Sequence, residues 1–212
     1  MRLLLAVASC VLLAACSSSG PPAAGQVSTV RATTAAGAQD ACRLLTETDL
    51  TNLVGFHAQP EHGRTGGLPH CRWWNGKGAY VQAASVTSPE WAQALPEVAR
   101  DLEPAGLVSN QQNLESLRTA AARVTAGEAL EPDEACSLFS QMLELQGQPA
   151  GSTSVVTVFP TQESPQGVTG QVCTDGRFST ILVYDVKGLR PDTLTPAVAA
   201  LLPTVHERAR AI

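Results

Sequence analysis

The hydrophobic positions of this 212-residue chain divide it into three zones. Residues 3–15 are an apolar run with a single polar break, residues 17–39 are mainly small and polar, and patterned apolar positions begin after them. A helix needs about 20 apolar residues to cross a hydrocarbon core of about 30 Å, so the first run is too short to span it. The pattern predicts a signal peptide over residues 1–15 and a single extracytoplasmic domain over residues 40–212.

Apolar residues spaced three and four apart predict the helices of this domain. The predicted helices cover residues 46–54, 88–102, 111–125, 131–145 and 195–210. Thr46 or Thr48 is a suitable N-cap for the first helix, and Ser88 is suitable for the second. Pro96 lies inside the second helix and is expected to kink or split it.

Loosely alternating and β-branched runs predict the strands, over residues 79–87, 154–159, 168–174 and 178–186. A glycine-bearing turn precedes the first of these strands and another joins the last two, as in β-hairpins. The hairpins are local, and no regular alternation of strand, helix and strand appears. The fold class is therefore predicted to be α+β, an antiparallel sheet with flanking helices.

Four of the six cysteines lie in the predicted domain: Cys42, Cys71, Cys136 and Cys173. An even number of cysteines in an exported domain predicts two disulfides, and four cysteines allow three pairings. The segment DACRLL around Cys42 is echoed by EACSLF around Cys136, and a second cysteine follows on a predicted hairpin in both cases. The echo favours the pairs Cys42–Cys71 and Cys136–Cys173.

The same echo has two interpretations for the domain as a whole. It indicates either two related halves, over residues 40–105 and 128–212, or a chance match of a short motif. In either case the two bridges would close loops of about 30 and about 38 residues. On chain-entropy grounds each would stabilise the domain by about 3.5–4 kcal/mol.

The apolar run at the start of the chain ends in Leu13-Ala14-Ala15-Cys16, which resembles the lipobox of bacterial lipoproteins. The resemblance implies that a diacylglycerol is attached to the Cys16 thiol, that the peptide is cut before this residue, and that the new amino terminus can carry an acyl group such as palmitate. The alternative is an ordinary signal peptide with an incidental cysteine. Two or three acyl chains hold a protein stably on a membrane, at about 0.8 kcal/mol per buried methylene.

Residues 17–39 contain mainly Ser, Thr, Gly, Pro and Ala, with one charge and no aromatic residue. Such a segment buries too little surface to offset its ordering entropy, so it is predicted to be a flexible tether. Together with a lipidated Cys16, the tether predicts a domain at the cell membrane, anchored on its extracytoplasmic face. The membrane is thus the first expected partner.

Acidic residues outnumber basic ones by 19 to 14, which gives a formal net charge of −5 at pH 7. Only two lysines occur, Lys77 and Lys187, and the basic residues form no stripe. Binding to nucleic acid or to anionic lipid headgroups needs clustered basic side chains. Nucleic acid is therefore not an expected partner, and the remaining candidates are an envelope protein or a small ligand.

Three of the four histidines, His57, His62 and His70, lie just before Cys71. Their gaps of five and eight residues do not match the ligand spacing of common zinc sites, and the intervening glycines make the segment pliable. We interpret it as a surface loop pinned by a disulfide. The alternative is a metal-dependent hydrolase in which the three histidines and Glu61 bind the ion.

Familiar catalytic motifs are absent from the sequence, which has no G-x-S-x-G elbow, phosphate-binding loop, H-E-x-x-H motif or G-x-G-x-x-G pattern. No catalytic residue, metal or cofactor is therefore predicted. Trp73 and Trp74 are the remaining candidates for binding. Adjacent strand residues point to opposite faces, so one ring could be exposed as an anchor. The pair could equally cover the neighbouring disulfide.

Residues 40–74 resemble the DUF3558 family of actinobacterial lipoproteins. Members carry D-P-C-x-L-L before a short helix that ends near L-G, and later a cysteine two residues before a tryptophan. The matching residues here are Asp40, Cys42, Leu44, Leu45, Gly55, Cys71 and Trp73. Ala41 departs from the usual proline. The resemblance implies a location on the outer side of the cytoplasmic membrane, and it supplies no catalytic residues because none are established for the family.

Three functional hypotheses follow from these features. The first is a non-enzymatic, lipid-anchored module that binds a ligand or a protein partner at the cell envelope. The second is the metal-dependent hydrolase, and the third is a structural envelope protein that stabilises a neighbouring complex. The anchor, the tether, the two disulfides and the lack of a catalytic motif favour the first.

Overall fold

The computed structural model of the protein describes residues 40–55, 57–65, 67–102, 110–185 and 190–212. The predicted signal peptide, Cys16 and the predicted tether lie outside the described residues. The same holds for Val186, the last residue of the last predicted strand. None of the helices in the described ranges combines the length and the apolar character that crossing a bilayer requires.

An antiparallel sheet forms the centre of the fold. Its strands in the described chain are β1 (Gln59–Thr65), β2 (Leu68–Trp74), β3 (Tyr80–Thr87), β4 (Ser154–Pro160), β5 (Pro165–Thr174) and β6 (Arg177–Tyr184). Their order across the sheet is β1-β2-β3-β6-β5-β4, and every neighbouring pair is antiparallel. Two three-stranded meanders thus meet at the pair β3 and β6, which confirms the predicted α+β class.

Helices flank this sheet on both sides. In the described chain they are α1 (Glu47–Val54), α2 (Ser88–Ala92), α3 (Leu95–Leu102), α4 (Gln111–Thr125), α5 (Pro132–Leu145) and α6 (Pro191–Arg210). The bounds of α4 are those predicted, and α1 and α5 each begin one residue later than predicted. Helix α6 begins earlier than predicted and continues through Pro196 and Pro203.

Capping boxes determine where α1 and α2 begin. In α1 the Thr46 hydroxyl accepts a hydrogen bond from the Asp49 N–H, and the Asp49 carboxylate accepts one from the Thr46 N–H. In α2 the same arrangement uses Thr87 and Glu90, so the predicted cap Ser88 is instead the first helical residue. Each box gives partners to backbone N–H groups that a helix start leaves unpaired.

The helix predicted over residues 88–102 is split into α2 and α3, as the proline led us to expect. The break lies at Gln93 and Ala94, and Pro96 becomes the second residue of α3. Proline is tolerated there, because the first N–H groups of a helix have no intrahelical acceptor.

Each face of the sheet has its own helices and its own apolar core. We call the two faces A and B. Face A carries α2, α3, α4 and α5, and its core includes the strand residues Val86 and Phe178. Face B carries α1 and α6, and its core includes Cys71 and Ile181. Because side chains alternate along a strand, the register assigns every strand residue to one face.

The aromatic centre of the face A core joins α2, α5 and β6. Trp91 is fully buried, with its ring centroid 5.4 Å from that of Phe139 and 5.6 Å from that of Phe178. The Phe139 and Phe178 centroids are 5.6 Å apart. Such aromatic contacts add about 0.5–1.5 kcal/mol per pair beyond the burial of their area, so this cluster fixes the helices against one end of the sheet.

Both predicted disulfides are present, Cys42–Cys71 and Cys136–Cys173. Each ends on the middle strand of a three-stranded meander, β2 or β5. The bridges nevertheless lie on opposite faces, since Cys71 belongs to the face B core and Cys173 to the face A core. The repeat is therefore one of element order, and the placement of the helices differs between the two halves.

Helices α1 and α6 are joined by one side chain. Arg208 Nη1 donates to the Leu44 carbonyl oxygen at 2.9 Å and to Asp49 Oδ2 at 2.6 Å. Burial opposes ionisation of Asp49, but the hydrogen bonds from Arg208 and Thr46 outweigh it and lower the pKa of this carboxyl. The contact ties the first described helix to the last.

Candidate functional site

The segment from His57 to Cys71 contains a β-hairpin, so the predicted surface loop is wrong. Strands β1 and β2 pair along their whole length, with a turn at Gly67. Strand β1 lies at the sheet edge and is mostly exposed. Its sequence QPEHGRT contains no large apolar residue, so no alternation of apolar and polar positions marks it as a strand.

The three histidines of this region occupy three different surroundings. His57 is exposed, with Nδ1 2.6 Å from Glu47 Oε1. His62 points to face B, with Nδ1 3.3 Å from Cys42 Sγ. His70 points to face A and is buried. Because His62 and His70 lie on opposite sides of the sheet, the three rings do not converge on one metal ion, and the geometry gives no support to the hydrolase hypothesis.

Trp73 and Trp74 point to opposite faces, as predicted. Trp73 is buried in the face B core with Cys71. Trp74 lies on face A and is 43% exposed. The sequence therefore predicted that one ring of the pair could be exposed, but not which ring or its neighbours on the sheet.

Trp74 is the outer end of a line of aromatic side chains that crosses face A. Register pairs join Trp74 to Tyr80, Tyr80 to Tyr184, Tyr184 to Gly167 and Gly167 to Phe159. We call Trp74, Tyr80, Tyr184 and Phe159 the aromatic row. It holds four of the nine aromatic residues of the chain, at the end of the sheet away from the face A helices.

Three rings of the aromatic row, Tyr80, Tyr184 and Phe159, lie in stacking contact. The Tyr80 and Tyr184 centroids are 5.0 Å apart with an interplanar angle of 28°, and the Tyr184 and Phe159 centroids are 6.1 Å apart at 15°. The Arg72 guanidinium carbon lies 4.5 Å from the Tyr80 centroid, within cation–π range. Burial raises the pKa of Tyr80 above its ordinary value.

Gly167 allows Phe159 to reach Tyr184 across β5. A Cβ atom at this position would lie 2.4 Å from Phe159 Cζ and 2.4 Å from the Val183 carbonyl oxygen, closer than non-bonded atoms approach. The aromatic row therefore requires a glycine at position 167. We expect any larger residue here to displace the Phe159 ring.

A cavity of about 50 Å³ lies on face A, and its lining begins at Gln82 and Leu182, two residues along the strands from Tyr80 and Tyr184. Its surface is mainly apolar, and six polar residues contribute to it: Thr65, His70, Gln82, Thr169, Gln171 and Thr180. His70, Gln82 and Thr169 are buried. Arg72 Nη2 donates to Gln82 Oε1 at 3.2 Å, so Arg72 contacts both the cavity lining and the row. Buried polar groups that converge beside an aromatic surface are the usual features of a small-molecule site.

Of the described residues that line this cavity, His70 alone has a titratable side chain. Burial, with a smaller contribution from the charge of Arg72, lowers the pKa of His70 to about 4. The imidazole is therefore neutral at pH 7, with one ring nitrogen as a donor and the other as an acceptor. Gly63 makes room for the ring, since a Cβ atom there would lie 2.5 Å from His70 Nε2.

A serine–histidine pair occurs on face B, but its hydrogen bonds do not activate the serine. Ser179 is fully buried and donates to Ser85 Oγ at 3.1 Å. Its oxygen therefore accepts from His206 Nδ1, 3.0 Å away, and His206 Nε2 accepts from the Thr174 hydroxyl at 2.9 Å. With this tautomer, assigned from the network, His206 takes no proton from Ser179.

A wider groove of about 480 Å³ runs between α6 and the strands β4 and β5. Its described lining combines apolar side chains such as Leu202 and Val172 with His206 and Glu207. Both ring nitrogens of His206 already have hydrogen-bonding partners. We take face A as the candidate site, because it combines a cavity with an exposed aromatic ring at Trp74.

Comparison with protein-family models, with curated proteins and with solved structures finds no match to this chain.

Most of the candidate site could not be predicted from the sequence. Tyr80 and Tyr184 are about one hundred positions apart in the chain, and only the register of β3 and β6 brings their rings together. One feature of the sequence did point to these aromatic residues. In a chain with 4% aromatic residues, an aromatic residue at the end of several predicted strands is unusual.

Proposed function

We propose that this protein is a lipid-anchored lipoprotein of the cell envelope whose domain binds a small ligand on face A. The sequence features that support the anchor are the lipobox-like segment ending at Cys16 and the tether over residues 17–39. The observation that carries the binding function is the aromatic row, which has an exposed end at Trp74, together with a nearby cavity that is mainly apolar and has a few buried polar groups. No residue is assigned a catalytic role.

The chemistry of the site suggests a ligand with one flat apolar face and at least one polar group. An aromatic ring, or the C–H face of a sugar ring, stacks on Trp74 and on the half-buried rings of Tyr80 and Tyr184. A polar substituent then reaches Gln82 or Arg72. The cavity of about 50 Å³ is too small for a whole ligand, since such sites usually enclose several hundred Å³.

Native mass spectrometry can test this proposal with the low-molecular-mass fraction of a cell-envelope extract as the probe. We expect wild-type protein to retain an adduct of defined mass and Trp74→Ala to retain about a tenth as much or less, because aromatic anchors are commonly worth 2 kcal/mol or more. Ile212→Ala is the matched control. Ile212 is the other large hydrophobic side chain exposed in the described chain, and it lies outside the aromatic row.

Two outcomes would overturn the binding proposal. One is an adduct that Trp74→Ala retains as well as the wild-type protein does. The other is the absence of any adduct while cross-linking on intact cells captures one protein through the same surface. That second result would support the hypothesis of a partner-binding or structural envelope protein.

A further inference from the structure

Cys42, Cys71 and His62 bring three metal-ligating side chains together on face B. His62 and Cys71 are register partners on β1 and β2, and Cys42 is bonded to Cys71. The Cys42 Sγ lies 3.3 Å from His62 Nδ1, and one ligand atom from each residue lies within 4.8 Å of the others. Among the described residues, no other set of three or more cysteine, histidine or acidic side chains brings its ligand atoms this close together.

We propose that these three side chains form a zinc site when the Cys42–Cys71 disulfide is reduced. Two thiolates and one imidazole suit Zn²⁺, which binds sulfur at about 2.3 Å and nitrogen at about 2.0–2.1 Å. In tetrahedral geometry those lengths place the ligand atoms about 3.5–3.8 Å apart. Bonded sulfurs are only about 2.0 Å apart, so the oxidised pair cannot bind the ion in this way and the reduced pair can.

Reduction of the disulfide precedes metal binding. A dithiol reductant gives two electrons and two protons to the Cys42–Cys71 bond, which breaks to two thiols while the reductant becomes a cyclic disulfide. Zn²⁺ then displaces one proton from each thiol and binds the neutral His62 ring, with water as the fourth ligand. Metal uptake therefore releases two protons and depends on prior reduction.

Accessibility is consistent with these steps. Cys71 is fully buried, Cys42 is half-buried and His62 is exposed. A reductant and an ion can therefore approach from the side of Cys42 and His62. The site lies on face B, so it is separate from the aromatic row and does not rest on the function proposed for face A.

The second disulfide provides a matched control within the chain. Cys136 and Cys173 also pair one partly buried with one buried cysteine, and their bridge closes a loop of similar length. No histidine in the described residues completes a metal-ligating group with them. The two bridges therefore differ in the feature that the proposal requires.

The test uses the purified full chain, treated with a phosphine that reduces disulfides, and then titrated with Zn²⁺, or with Co²⁺ as a spectroscopic substitute. We expect one ion per chain with thiolate-to-cobalt charge-transfer absorption in the wild-type protein and in the double variant Cys136→Ser with Cys173→Ser. The double variant Cys42→Ser with Cys71→Ser is expected to lose both signals. His62→Ala should weaken binding by about tenfold or more, since it removes one of three ligands.

Thermal unfolding followed by circular dichroism separates a native site from binding to an unfolded chain. Zinc is expected to raise the melting temperature of the reduced wild-type protein, because a ligand that binds only the folded state stabilises it. The proposal fails if the Cys42→Ser/Cys71→Ser variant binds the ions as well as wild type, or if His62→Ala has no effect. It also fails if the reduced protein is unfolded and zinc does not restore a transition.

Discussion

The imidazole of His70 links the face A cavity to the pH of the solution. Its pKa is lowered from 6.5 to about 4, chiefly by burial. Between these two values the unfolded chain binds a proton that the folded chain does not bind, so the free energy of unfolding decreases as the pH falls through this window. The full shift corresponds to roughly 3 kcal/mol.

We predict that His70→Gln makes the protein less sensitive to acid. Urea unfolding at about pH 7 and about pH 4.5 should show a smaller loss of stability in the variant than in the wild-type protein. Part of the loss should remain, since burial also lowers the pKa of His206. An equal loss in both proteins would show that His70 does not cause the effect.

Some of the individual residues that form the candidate site could be predicted from the sequence, and others could not. Exposure of one of Trp73 and Trp74 could be predicted, because adjacent strand residues point to opposite faces, but the choice of Trp74 depends on register. Gly63 and Gly167 could not be predicted, because their importance lies in what a Cβ atom would strike across the sheet. Such a collision depends on register, which the local sequence does not specify at these positions.

At the scale of helices and strands, the contact between α1 and α6 allows a direct test of what holds two helices together. Asp49→Asn keeps a hydrogen-bonding side chain in the capping box but removes the charge that faces Arg208. We expect a loss of about 1–3 kcal/mol in denaturant unfolding near neutral pH, because hydrogen bonds to charged groups are worth about this much. Since the pKa of Asp49 is lowered, this contribution should be lost as the pH falls through the lowered value.

Glu207→Gln is the matched control for this prediction. Glu207 also lies on α6 and pairs with an arginine, but both side chains of that pair are largely exposed. Its removal should change stability by about 0.5 kcal/mol or less. If both variants lose the same amount, burial of the Asp49–Arg208 pair is not the cause.

Elements were predictable where the local pattern is strong. Helix α4 has apolar residues at helical spacing and an Asn110 cap, and its predicted bounds were confirmed. Strand β1 was missed because an exposed edge strand needs no apolar face. It is held instead by pairing with β2 and by the Cys42–Cys71 bridge at its partner strand.

For the whole molecule, the central prediction is where the protein resides. We expect Cys16→Ser to move the protein from the membrane fraction to a soluble fraction, or to leave its signal peptide uncut, because the acyl chains would be lost. Cys10→Ser is the control, since Cys10 lies in the predicted signal peptide. Mass spectrometry of the wild-type amino terminus should find residue 16 first, with added acyl mass. An unmodified sulfur at that position would contradict the prediction.

At this scale the sequence predicted the fold class and both disulfides but not the sheet order. The hairpins are local, whereas the central pairing of β3 with β6 joins segments about one hundred residues apart. Pairing between strands so far apart in the chain depends on the packing of the whole domain, so no local sequence pattern indicates it. The position of the aromatic row follows from the same pairing, which is why the site was only partly predictable.

The placement of α1 and α6 on face B has a consequence for fusions to this domain. The polypeptide enters the fold beside α1, and Arg208 of α6 holds the last helix against the same region. The start of the described domain and its last helix therefore lie on face B, whereas the aromatic row lies on face A. A reporter fused after Ile212 would extend from the helix on face B and leave the aromatic row uncovered.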